Sequence, residues 1–234
     1  MRKIIICILI GAFILPIAGQ KIDPTRDFRK HYFWGIAFCA TQAKMRMELD
    51  KTFYEPAHID SLVGIMPQSS AGGGFGGTFA YKFGKDRKFE LKTQTMLQLH
   101  QRNLQYYWKN SIGPNIKIET ISFDVPVDLK YYSDMPKNTR FYVLAGLRWS
   151  HDFQSNQDVT IGASKPLVAF KKDTYYYEMG LGWEFRLDFV DVCIELRMTN
   201  GINNALVRIP DSYYSSSIHS ILPRLFGISL MAQN

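Results

Sequence analysis

From Phe89 to His100 apolar and polar side chains alternate: Phe89, Leu91, Leu97 and Leu99 fall on odd positions, and Glu90, Lys92, Gln94, Gln98 and His100 on even ones. A side-chain period of two describes a strand with one oily face and one wet face. Seven further segments carry the same alternation, and the gaps between them alternate short and long. That rhythm belongs to a transmembrane β-barrel with tight turns on one side and long loops on the other. The expected fold is therefore all-β: an eight-stranded antiparallel up-and-down transmembrane β-barrel.

The amino terminus fits the compartment that such a barrel needs. Met1-Arg2-Lys3 precedes an apolar run from Ile4 to Ile17 and then Ala18-Gly19-Gln20. A basic start, an apolar stretch and small residues at its end describe a cleavable secretory signal. It is expected over residues 1–19, with the barrel domain over 20–234. The run is shorter than the roughly 20 apolar residues of a spanning helix, and no later run approaches that length. Removing the signal lowers the net charge from +7 to about +5, a mild excess suited to anionic headgroups. Cys7 leaves with the signal. Cys39 and Cys193 remain, on inward positions, and are expected as two buried thiols; a bridge across the lumen is the alternative. His31, His58, His100, His151 and His219 are scattered, without metal spacing.

The strands are expected near 31–47, 75–85, 89–107, 117–132, 140–150, 174–187, 192–199 and 221–232. Long connections are expected at 48–74, around 110–115, at 151–173 and at 200–220. Short turns lie near Gly84, Ser133 and Asp188. Pro126, inside the fourth strand, predicts a bulge because it lacks a ladder donor. Arg224 falls on the outer face of the last strand, which fits least well. With a periplasmic amino terminus, every long loop is extracellular and both termini are periplasmic. Tyr106, Tyr107, Trp108, Tyr131 and Tyr132 suggest interfacial girdles.

The inward positions collect charge of both signs: Lys82, Glu90, Lys92, Arg102, Asp124, Asp128, Lys130, Arg140, Arg148, Glu178, Glu184, Arg186, Glu195 and Arg197. An eight-stranded barrel is just wide enough for side chains to fill it. Unpaired charges there would be costly, so a salt-bridged plug is expected in preference to a pore. A soluble barrel would carry the opposite arrangement, apolar inside and polar outside.

His58-Ile59-Asp60-Ser61, His151-Asp152 with Ser155, and His219 between Ser217 and Ser220 could suggest a lipid-modifying hydrolase. A triad is defined by geometry, however, and loops are ordinarily rich in these residues. The glycines from Gly72 to Gly77 lead into a strand, so they lack the helix of a phosphate loop. No nucleic-acid stripe, cofactor motif or small-molecule substrate site is evident. A non-enzymatic protein is expected, with outer-membrane lipid or lipopolysaccharide as its surroundings.

Ile121-Ser122-Phe123-Asp124-Val125-Pro126-Val127-Asp128-Leu129-Lys130-Tyr131 and Phe141-Tyr142-Val143-Leu144-Ala145-Gly146-Leu147 resemble stretches of small Bacteroidota outer-membrane barrels. Asn103-Leu104-Gln105-Tyr106 and Asn200-Gly201-Ile202-Asn203-Asn204-Ala205-Leu206 are more specific. With the length and strand layout, they are similar to the PorT (SprT) proteins of the type IX secretion system. The likeness is patchy over most of the mature chain. It implies an outer-membrane component of type IX secretion, and of gliding motility in some relatives, with other secretion proteins as partners. No catalytic residue is implied. Asn200, Gly201, Asn203 and Asn204 are the candidate interaction loop, although turn chemistry alone would also place such residues there. The other readings are a small porin-like or lipid-binding barrel with no secretion role, and an outer-leaflet lipid-modifying enzyme.

Overall fold

The computed structural model describes residues 31–54, 62–84, 87–134, 138–157, 168–187, 189–208, 215 and 217–234. The expected signal sequence lies outside them. The strands in chain order are β1 (Tyr32–Leu49), β2 (Leu62–Gln68), β3 (Ser70–Phe83), β4 (Phe89–Trp108), β5 (Ser111–Tyr132) and β6 (Thr139–Asp152). They continue with β7 (Ala169–Phe170), β8 (Asp173–Arg186), β9 (Asp191–Gly201), β10 (Leu206–Val207) and β11 (Ile218–Gln233). β2 and β3 are two parts of one wall strand. Antiparallel pairing runs β1-β3-β4-β5-β6-β8-β9-β11, and β11 returns to β1 from Gly35↔Gln233 to Leu49↔Ile218. The ring is closed, so no wall edge is left unpaired in lipid.

The outward faces carry a continuous apolar belt. On β1 it spans Tyr32, Trp34, Ile36, Phe38 and Ala40, all exposed. At about 3.4 Å per residue this is roughly 27 Å of strand, or about 20 Å of barrel height at a tilt near 40°. On β8 the belt runs from Tyr175 to Phe185, about 26 Å of height by the same arithmetic. These heights match the apolar band of about 25 Å expected of a membrane barrel. Around the turn end, rings touch one another in series: Tyr32–Tyr81 at 5.0 Å, Tyr81–Phe83 at 6.0 Å, Phe83–Phe89 at 5.8 Å and Phe89–Tyr131 at 5.2 Å. Tyr106 and Tyr132 are not part of a girdle, because both point inward and are fully buried.

Two expected loops are strand instead. Residues 62–74 were expected in a connection, yet they form β2 and the start of β3. The glycines there permit close strand approach: a Cβ on Gly74 would sit 2.5 Å from the Leu97 carbonyl oxygen, and one on Gly76 1.9 Å from that of Thr95. The connection near 110–115 is only Lys109-Asn110, since β4 and β5 pair up to Trp108↔Ser111. Three long connections therefore remain at the loop end, not four. β5 pairs with β6 only from Ser122↔Asp152 downward, so the β4–β5 hairpin stands well above β6. At Pro126 there is no register shift; the ladder to β4 is merely interrupted, with Thr93 Oγ1 donating to the Pro126 carbonyl at 3.1 Å. β11 is a full closing strand, and Arg224 lies exposed on its outer face.

Candidate functional site

The lumen is filled by ion pairs that form one chain of alternating sign. At the turn end Lys82 Nζ lies 2.9 Å from Glu184 and 3.7 Å from Glu90. Glu90 lies 3.1 Å from Lys130, which is 2.9 Å from Glu195. Glu195 is the hub. It also takes Lys92 at 2.9 Å, Arg197 at 2.5 Å and the Tyr142 hydroxyl at 2.8 Å. Lys92 is 3.5 Å from Asp128. Arg197 continues to Asp128 at 2.8 Å and Glu178 at 2.6 Å, and Glu178 reaches Arg148 at 2.6 Å. Arg148 ends the chain on Asp124 at 3.3 Å, where the Ser150 hydroxyl also donates at 2.5 Å.

Every one of these charged side chains is buried. They come from β3, β4, β5, β6, β8 and β9, so the barrel wall itself brings them together. By the period of two, alternate residues point inward: the even positions on β3, β4, β5, β6 and β8, and the odd positions on β9. Three of the sequence candidates stand apart from the centre of the cluster. Arg186 is at the turn-end rim, 3.7 Å from Glu184 and 3.6 Å from Asp191. Arg102 sits nearer the loop end, its guanidinium 5.1 Å above the Phe170 ring. Arg140 lies at the rim, 5.9 Å from the Tyr132 ring.

Both ends of the charged section are closed. At the turn end Tyr132, Tyr142 and Leu144 pack together, with the tyrosine rings 4.9 Å apart. Lys82 lies 4.5 Å from the Phe33 ring centre and Lys130 4.3 Å from that of Tyr142. Above the network a polar cavity beside Cys39, Gln94, Gln98 and Arg197 measures about 10 Å³, room for about one water. Cys39 and Cys193 are unbonded. Cys193 packs with Ala37, Met96 and Met231, and Cys39 lies against that cluster.

The loop end carries a feature absent from the expectation: an apolar cap. Met45, Phe53, Leu62, Ile65, Leu104, Tyr106, Val168, Phe170, Ala205, Leu206, Ile218 and Ile221 form one buried cluster. The short β7–β10 ladder belongs to it, with Leu206 opposite Phe170 and Val207 opposite Ala169. It is tied to the wall by the Lys171 amide donating to Ala205 and the Ala205 amide donating to Ile221. Asn156 both donates to the Val168 carbonyl and accepts from the Phe170 amide. The sequence signal was available in apolar runs such as Leu62-Val63-Gly64-Ile65 and Ala205-Leu206-Val207, which are too oily for solvated loops.

The four candidate interaction residues anchor this cap. Asn200 is buried at the end of β9, and Gly201 pairs with Tyr176 beneath Pro223, whose Cδ would lie 2.8 Å from an added Cβ. Asn203 Oδ1 accepts from the Tyr175 amide at 2.8 Å; Asn204 Oδ1 accepts from the amides of Leu206 and Ile221, each at 3.0 Å. Asn203 and Asn204 act through side-chain hydrogen bonds. Positive φ is found at Arg87 and Gly84 among the described residues, not at these asparagines.

The hydrolase alternative finds no assembled triad among the described residues. His151 pairs with Asp173 at 2.9 Å, while Ser155 donates to the Phe170 carbonyl. His219 lies 3.5 Å from Asp50, which Arg208 also pairs, and Ser220 donates to Glu48. His58, Asp60 and Ser61 lie outside the described residues. No three His, Cys, Asp or Glu among the described residues stand close enough to hold a metal.

A family model described as an outer membrane protein beta-barrel domain matches residues 33–207. No curated protein matches the chain in sequence. Among solved structures, the outer membrane protein OprG of Pseudomonas aeruginosa is similar at 11% identity and a TM-score of 0.48, covering 88% of this chain and 97% of that one. Neisserial surface protein A gives 11% and 0.42 over 86% and 98%. The Ail protein of Yersinia pestis gives 10% and 0.41 over 88% and 100%.

Proposed function

We propose a role for this chain from the premise that it belongs to the outer membrane protein beta-barrel domain family: it is a non-enzymatic component or accessory of type IX protein secretion. The observation that carries this reading is the contrast between a lumen packed with ion pairs and an elaborated loop end. A lumen crossed by buried ion pairs from Lys82 to Asp124 does not suit a conducting role, which leaves the ends of the barrel for interaction. The two sequence stretches that resemble PorT proteins both lie at the loop end. Leu104 and Tyr106 are in the cap, and Asn203 and Asn204 hold its connection in place.

In this reading the signal directs the chain to the outer membrane, the termini face the periplasm and the capped loop end faces outward. The cap and the raised β4–β5 hairpin present a rigid surface to other secretion proteins. Deletion of the gene, followed by assay of type IX cargo in the culture medium, tests the role: cargo is expected to accumulate in the periplasm, and normal export refutes it. Orientation is read separately. Ile112 at the hairpin tip is 77% exposed, so Ile112→Cys is expected to react with an impermeant maleimide on intact cells.

A further inference from the structure

The loop-end border of the apolar belt is not uniform in charge. On the β4–β5 side Gln101 faces Glu119, and Asn103 faces Lys117. On the β6–β8 side His151 is paired with Asp173. At the β1–β11 seam, by contrast, Lys44 lies directly opposite Arg224, both exposed on the outer face. Arg46 is the next outward residue of β1, and its nearest carboxylate, Glu48, is 3.7 Å away. Among the described residues no carboxylate reaches ion-pair distance of Lys44 or Arg224. Like charges directly opposite each other on a sheet repel, so this seam is left short of an anion.

Its height says which anion. Phe226 and Ile228 follow Arg224 on the same face of β11 toward the belt, and Ala40 and Phe38 lie below Gln42 and Lys44 on β1. A molecule held by the three cations therefore lies over exposed aromatic and aliphatic side chains. Phosphate offers oxygens that accept several charge-assisted hydrogen bonds at once, and acyl chains match the surface beneath. The geometry points to Lys44, Arg46 and Arg224 as a binding site for the anionic phosphate headgroup of an outer-leaflet lipid. The inference takes from the proposed function only the outward orientation of the loop end, which the Ile112→Cys labelling reads separately.

The test uses the full barrel in phosphatidylcholine nanodiscs, with lipid retention measured by native mass spectrometry. Each membrane-surface cation contributes about 1 kcal/mol toward anionic lipid. Three give wild type a roughly hundredfold preference for bisphosphorylated over dephosphorylated lipid A. The triple variant Lys44→Gln, Arg46→Gln, Arg224→Gln is expected to lose that preference. The double variant Lys44→Arg, Arg224→Lys is expected to keep it, and the heat-dependent gel shift of each variant reports that the barrel is closed. Equal preference in wild type and triple variant overturns the site, as does retention that ignores phosphorylation. Displacement of the lipid by an equal concentration of inorganic phosphate overturns the lipid as the source of the anion.

Discussion

Replacing Glu195 by Gln removes one charge from the hub of the lumen while keeping the size of the side chain and an acceptor for the Tyr142 hydroxyl. Three cations then lose a carboxylate at 2.5–2.9 Å: Arg197, Lys92 and Lys130. Each keeps a second partner, at 2.6 Å from Glu178, 3.5 Å from Asp128 and 3.1 Å from Glu90 respectively. Breaking one buried pair by removing a partner costs about 3–5 kcal/mol. The surviving partners hold the expected loss near the lower end, about 3–4 kcal/mol. Arg186→Gln is the matched control, because its contacts are longer and it lies at the rim; its expected loss is under about 1 kcal/mol. Urea unfolding in lipid vesicles reads both, followed by the fluorescence of belt tryptophans such as Trp34 and Trp149. The midpoint of Glu195→Gln should fall with the slope unchanged. A loss below about 1 kcal/mol, or one equal to that of Arg186→Gln, refutes the view that these charges are an interdependent plug.

Gly76→Ala should prevent stable closure of the barrel, since its Cβ would meet the Thr95 backbone, whereas Gly64→Ala, with open space around it, should fold normally; the heat-dependent gel shift distinguishes them. Phe170→Ala should cost the cap about 3–5 kcal/mol and hasten proteolysis near β7 and β10, with the gel shift of the barrel retained. At the turn end, the hydrogen bond and then the charge of Lys88 hold the Asp134 carboxyl below the usual aspartate range. A depressed carboxylate stabilises above its unfolded value and loses that contribution as pH falls through the folded one. Because Asp134 is exposed, the expected signature is a low NMR titration midpoint that rises in Lys88→Ala.

The period of two carried the reading from sequence to wall. It identifies which residues face lipid and which face the lumen on β1, β4, β6, β8 and β9, because the pleat leaves each side chain only two directions. It failed where composition mimics a loop. The glycines before Phe75 look like a turn but serve close strand packing, and Asn110 to Asn115 look like a long connection but hold a two-residue turn and the start of β5. The lumen candidates were legible as inward positions, whereas their pairing was not. Which carboxylate meets which cation depends on strand register around a closed ring, and alternation alone does not set it. Asn200, Gly201, Asn203 and Asn204 were legible as a chain reversal. The hydrogen bonds of Asn203 to Tyr175 and of Asn204 to Leu206 and Ile221 depend on the cap, whose members are dispersed from Met45 to Ile221.

The position of Glu195 in the chain bears on how the barrel is made. Its cationic partners Lys92 and Lys130 are synthesised well before it, on β4 and β5, while Glu195 arrives on β9, with only β11 still to close the wall. Until β9 docks, the concave side of the growing sheet holds two lysines without their principal counter-charge. That side has to stay wet, so the sheet cannot enter hydrocarbon strand by strand with both faces dry. Neutralising the lumen therefore requires β9 in place together with β4 and β5, so the dry interior is a property of the nearly complete ring and not of any hairpin within it.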